Sequence, residues 1–454
     1  MKTSTLFLST FLIVNLYSQE VEEKIQKPEL LNLEKIEKEN KGIKRDFLIN
    51  KYLKQDSISS EQAFEVLKLI DNMNLELFEN FAKKFGHDET LAVMQCIKMP
   101  LKQLINSYPD CISLGLTNNE ALTLNSIELN VLIKKLYEKY PDFSKRLKVL
   151  NAPIPFTKLI SLSSSNFYKL FFNLKDSYIE KHFNYKLPKS TLNKIIKDKE
   201  NFQRLLIKTL KNQKLDMLNK SFYNLDFNYN EEVLFSFAMN SYFNQNLELS
   251  SNFLQEAKKF NTLKNNNKYN FWLFKVTKDE SYLKEILENS NINIYTIFAK
   301  ELLNKNNKII LYTENKMLEE SMKKITKENQ AFLYSLAKVE SNLNENFISS
   351  SFKTGIFQTK KSLKTDIKSS IENMENKLNN IEEENPLIKY LIFKNKEKIV
   401  SNVIETKDKY LALELIPKNE KIKEFLFTYY LYYSNKNNNF KLNSLFSESK
   451  KSLP

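Results

Sequence analysis

Apolar residues along this chain recur at the three-and-four spacing of helices rather than at the alternating spacing of strands. From about Pro28 onward the pattern reads as one helix after another. Ser59-x-x-Gln62 and Thr117-x-x-Glu120 have the form of capping boxes, in which two side chains satisfy free backbone amides at a helix start. After the first box, Phe64, Leu67 and Ile70 are expected to line one buried face. Pro141 is expected to interrupt the helix that begins after Thr117. Between about Asn230 and Leu303 the pattern predicts stacked helical hairpins. Phe235, Ala238 and Tyr242 share one face there, and Phe253 and Ala257 follow on the partner helix; small residues at such places let helices approach closely. Asn265–Lys268 reads as a loop, Asn304–Asn307 as a domain boundary, and Trp272, Phe274 and Tyr282 as core near that junction. A sugar contact by Trp272 is the rarer alternative. No hairpin signal interrupts this sequence of helices.

Composition agrees. Of 454 residues only 4 are Gly and 10 are Pro, against 42% hydrophobic. Dinucleotide-binding folds, phosphate loops and sheet sandwiches need glycines at their turns, so the predicted class is all-α. At the N-terminus Lys2, the apolar run Leu6–Leu16 and small Ser18 read as a cleavable export signal, which predicts a periplasmic protein. The run is short for a span, which needs about 20 apolar residues, although an uncleaved anchor helix is the other reading. No later segment is apolar enough to give a stable membrane span. Cys96 and Cys111 are the only cysteines. An oxidising compartment permits a disulfide between them, with two buried thiols as the alternative. The net charge of +14 favours anionic partners. Export argues against nucleic acid, and no basic block interleaved with aromatics marks a single-strand binder. His87 and His182 stand outside any metal-ligand spacing, so neither metal nor cofactor is expected. No nucleophile elbow occurs either.

The segment that carries chemistry begins at Thr326, a predicted N-cap for a helix running through Ala331 to Glu340. Leu333, Leu336 and Ala337 define its apolar face, which places Glu340 on the buried stripe near the helix C-terminus. Burial and the negative end of the helix dipole both favour a protonated carboxyl. A glycosidase needs such an acid to protonate a leaving oxygen. A Glu that reaches solvent at a frayed helix end is the bland alternative. Glu340-Ser341 is followed by Ser349 and by Gly355-Ile356-Phe357-Gln358.

This ordered set resembles the soluble lytic transglycosylases of peptidoglycan. In that family Glu-Ser opens the site, a Ser follows, and Gly-Leu-Met-Gln closes it; the two patterns align without a gap from Val339 to Gln358. Glu414-Leu415-Ile416-Pro417, Glu420 and the aromatic run Phe425–Tyr433 are similar to the family's closing motif. The resemblance implies an α-superhelical domain over residues 19–305, after a signal peptide at 1–18. It implies a small lysozyme-like domain over 306–454. Glu340 would be the single catalytic acid, with Ser341, Ser349, Gly355, Phe357 and Gln358 around the substrate and Glu414 as a supporting carboxylate. The expected partners are peptidoglycan glycan strands and other cell-wall proteins. The sequence departs from the family over Thr359–Leu413, which is shortened and lacks the Ala-Tyr-Asn motif and its glycines. Asn385-Pro386 and Tyr390-Leu391 resemble remnants of the segment leading into it. Lys353 and Thr354 replace small residues. Two further readings therefore stay open: a homologue that binds wall without turnover, and a helical-repeat interaction protein with an accidental match.

Overall fold

A computed structural model describes residues 31–260, 262–305, 316–359, 366–436 and 440–446. The expected export signal and the Asn306–Asn307 half of the expected boundary lie outside them. Among the described residues the elements are 28 α-helices and one short 3-10 helix, with a lone antiparallel bridge between Ile348 and Thr354. The protein is all-α. No helix among the described residues is long and apolar enough to cross a membrane.

Both predicted capping boxes form. Ser59 opens the helix Ser60–Leu67 and Thr117 opens Asn118–Ala121. The buried stripe of Ser60–Leu67 is rotated from the expected one, however. Ala63 and Val66 are fully buried, whereas Phe64 is exposed and stacks on Phe85 with ring centroids 5.6 Å apart. The small residues win the inner face because the neighbouring helix Leu75–Phe85 packs directly on it. The helix after Thr117 ends by itself at Ala121, and Pro141 opens the helix Pro141–Leu150. Proline at the first helical position loses no hydrogen bond and arrives with the right φ.

The helices Glu231–Phe243, Leu247–Lys258, Leu263–Thr277, Ser281–Glu288 and Ile294–Leu302 follow, each packed on the next. The first is buried from Val233 to Ser241 on every side. Asn265–Lys268, expected as a loop, lies inside Leu263–Thr277. Its polar run is tolerated because partners wait for it. Asn267 is fully buried and donates to Asn291 O (2.6 Å) and Thr296 Oγ1 (3.2 Å). Trp272 is buried in the core and so is not presented to a sugar.

Among the described residues three hydrophobic cores form. One joins residues between Leu104 and Phe237, and the largest joins residues between Leu234 and Phe446. The third, between Ile36 and Phe81, is completed by two residues from far along the chain, Ile348 and Phe352. The largest core thus runs straight across the expected boundary near residue 305.

Candidate functional site

Thr326 caps the helix Lys327–Ser341 by accepting from Asn329 N. Leu333, Leu336 and Ala337 are buried as expected, and so are the residues between them. Burial on all sides follows from packing against the helix Glu420–Lys436, where Tyr334 stacks on Tyr432 (4.7 Å) and Phe332 meets Phe425 edge-on (4.9 Å). The helix stops where Asn342 and Leu343 both turn left-handed, with φ of 52° and 61°.

Glu340 sits in the last turn with 14% of its side chain exposed. Its Oε1 accepts an ion pair from Lys394 Nζ at 2.5 Å. Lys394 ends the helix Pro386–Phe393, and its backbone N–H bonds to Tyr390 O (3.0 Å). Tyr390 is buried beside Phe425, ring centroids 4.5 Å apart. Burial pushes its phenol well above the ordinary tyrosine range, and the negative charge of Glu340 adds to the effect. The hydroxyl therefore stays protonated and available as a donor. Positions 390 and 394 are one helical turn apart, so a single face brings both towards Glu340.

The rest of the motif forms one compact turn. Gly355 N bonds to Phe347 O (3.2 Å), Ser349 N to Lys353 O (2.9 Å) and Phe352 N to Ser349 O (2.8 Å). The Ser349 hydroxyl accepts from Lys353 N (3.1 Å) and lies 3.2 Å from Ser351 Oγ. Gly355 has φ of 87°, a conformation open to glycine and strained for other residues. Ser341 is buried, and its hydroxyl donates to Ala337 O of its own helix (2.9 Å). Phe357 is buried in the largest core. The Gln358 amide nitrogen donates to both Phe347 O (3.1 Å) and Gly355 O (2.9 Å). These two bonds fix the orientation of the amide, and its Oε1 is left buried with no hydrogen-bond partner. A buried acceptor without a donor is unfavourable unless something else supplies one.

Glu414 belongs to a different constellation. It is buried at the end of the helix Lys409–Leu415, and its partners come from distant helices. Oε1 accepts from Tyr295 OH and from Trp272 Nε1 (3.4 Å); Oε2 accepts from Lys423 Nζ (2.8 Å) and Asn419 Nδ2 (3.3 Å). Burial alone would raise this carboxyl. The charges of Lys423 and Lys268, with the bonds from Lys423 and Tyr295, outweigh that and hold it below its ordinary value. Glu414 thus ties the helices Leu263–Thr277 and Ile294–Leu302 to Glu420–Lys436; none of its hydrogen bonds goes to Glu340.

A cavity of about 1510 Å³ lies between the helix Lys199–Leu210, which contributes Arg204 and Lys208, and the stretch Lys398–Lys418. Tyr242 and Phe243 line it too. None of Glu340, Ser341, Ser349, Gly355, Phe357, Gln358 and Lys394 lines it. Among the described residues no three His, Cys, Asp or Glu side chains gather as a metal cluster.

Lys394, the ion-pair partner of Glu340, is a residue that the sequence did not single out, although Tyr390 four positions earlier was noted. The structure pairs Glu340 with Lys394 and gathers Ser349, Gly355 and Gln358 into one turn, while Glu414 bonds to a different set of partners. No protein-family model matches the chain, and no curated protein matches its sequence.

Proposed function

We propose that the protein is a peptidoglycan lytic transglycosylase with Glu340 as its acid and base. The observation that carries this reading is a carboxylate, largely shielded from water, on the last turn of a buried helix, followed by a turn that holds Gln358 with an unpartnered acceptor.

In the proposed reaction the Glu340 carboxyl gives its proton to the oxygen that links N-acetylmuramic acid to N-acetylglucosamine, and the bond from that oxygen to the muramyl anomeric carbon breaks. The carboxylate then takes the proton of the muramyl C6 hydroxyl, whose oxygen forms the new bond to the same anomeric carbon. A 1,6-anhydro product results and Glu340 ends protonated, as it began. One essential carboxyl suffices when the substrate's own acetamido group stabilises the cationic intermediate. Tyr390, held neutral beside Glu340, is placed in this reading to orient the acid, a role for which the family otherwise uses the missing Tyr. Lys394 has to withdraw from Glu340 Oε1 before a glycosidic oxygen can take its place there.

That same ion pair favours a second reading, in which the chain binds wall material without turning it over. Purified sacculi separate the two. The enzyme releases anhydromuropeptides detectable by mass spectrometry, and Glu340→Gln lowers release by at least about a hundredfold, the order expected for loss of acid catalysis. Pelleting with sacculi and no release from the wild type would select the binding protein.

A further inference from the structure

The turn that follows Glu340 is divided between two cores. Ile356 and Phe357 enter the largest one, whereas Ile348 and Phe352 complete the N-terminal core of Ile36 to Phe81. Phe352 is 1% exposed and meets Phe47 edge-on, ring centroids 5.8 Å apart. Next to it, Asn74 Nδ2 donates to Ser350 O at 3.2 Å. Phe352 also has φ of 57°, a left-handed conformation that is unfavourable for an aromatic residue and persists only where the surroundings over-determine it. What surrounds it is the apolar socket of the N-terminal helices.

From that anchor two sets of hydrogen bonds, joined by the chain and by the Ile348–Thr354 bridge, lead to the candidate site. Phe352 N is bonded to Ser349 O, Ser349 N to Lys353 O, Gly355 N to Phe347 O, and the Gln358 amide to Phe347 O and Gly355 O. A shift of Phe352 therefore displaces the backbone that orients Ser349 and Gln358. We infer that the helices Ile43–Tyr52, Ser60–Leu67 and Leu75–Phe85 are part of the functional site, with Phe352 and its socket residue Phe47 acting as positioning residues for the turn 347–358. The inference rests on the proposed function for what the turn does, and on packing alone for what holds it.

Two substitutions outside the turn test it in the full chain. Phe47→Ala empties the socket. Asn74→Asp keeps the acceptor that caps Leu77 N but removes the donor to Ser350 O. Hydrogen exchange of the amides of 347–358 is expected to accelerate in both variants, more in Phe47→Ala, while exchange in Lys327–Ser341 stays as in the wild type. With sacculi, kcat for Phe47→Ala is expected to fall by about tenfold to a hundredfold with KM little changed, as for a misplaced reacting group. Phe352→Leu, which keeps an apolar plug, should recover most of what Phe352→Ala loses. Unchanged exchange in 347–358 overturns the coupling, and accelerated exchange with unchanged turnover overturns the positioning role. If the wild type releases no anhydromuropeptide, the transglycosylase reading fails separately. Sacculus affinity then replaces kcat as the readout, with a loss of similar size expected.

Discussion

At the scale of single residues, the most unusual electrostatics lie away from Glu340, around Lys268. Its ammonium sits over the rings of Phe235 (4.4 Å) and Tyr269 (5.0 Å). Burial pushes it down to about 8, the charge of Lys423 adds to that, and Glu414, Glu420 and Glu231 oppose it. The unfolded chain holds its proton up to the ordinary value of 10.5. Below pH 8 both states are charged and the cost of burying the cation counts in full against the fold. Above 8 the folded state sheds the proton while the unfolded chain keeps it, so stability rises with pH through this window. Urea denaturation of the wild type and Lys268→Met at pH 7 and pH 10 should show the difference between them growing in the wild type's favour by on the order of 1–2 kcal/mol. A flat difference would mean that Lys268 is well solvated. None of this was legible in the sequence, where Lys268 falls in a polar run that looks like a loop. The signal lay in the partners that its neighbours find on other helices: Asn270, for example, donates to Glu285 Oε2 at 3.0 Å. Spacing along one segment cannot reveal a partner contributed by another.

At the scale of elements, caps were the most readable feature. Ser59, Thr117 and Thr326 each satisfy an amide three residues on, a local bond that distant packing rarely overrides. Faces were less readable. Phe64 was the larger apolar residue, yet Ala63 and Val66 took the inner side. The cysteine pair lies between these cases. Cys96 and Cys111 are joined, linking the helices Asp88–Lys98 and Pro109–Gly115 with a separation of 15 residues. Gly115 permits that approach, since a Cβ there would lie 2.4 Å from Cys96 O. Replacing both cysteines by alanine should remove about 3 kcal/mol, the value expected for closing a loop of this length in the unfolded chain. Denaturant midpoints of the oxidised wild type and of the variant measure it. A difference near zero would indicate that the unfolded chain is already compact in this region.

At the scale of the whole molecule, the helical class was plain from scarce glycine and three-and-four periodicity, but the partition into cores was not. The sequence marks a boundary near residue 305; the packing ignores it. Glu301 accepts backbone hydrogen bonds from Leu442 N (2.8 Å) and Asn443 N (2.7 Å). Asp408 pairs with Lys275 (2.9 Å) and accepts from Tyr242 OH (3.0 Å), and Glu414 takes two of its donors from Trp272 and Tyr295. Glu301 and Lys275 carry no sequence mark of these duties, because each partner is more than a hundred positions away. A fragment of residues 306–454 loses all these partners at once. Each hydrogen bond lost from a charged group costs about 1.5–3 kcal/mol, against a typical domain stability of about 5–15 kcal/mol. The fragment is therefore expected to show no cooperative thermal transition by circular dichroism. A sharp melt would demonstrate an autonomous domain.

The socket around Phe47 also has a consequence for biosynthesis. Its missing wall, Phe352, leaves the ribosome only after most of the polypeptide has been made, and translation proceeds at about 5–20 residues per second. Throughout that interval the early helices present a greasy notch with nothing to fill it. Nascent copies should therefore be good clients for holdase chaperones until the turn arrives.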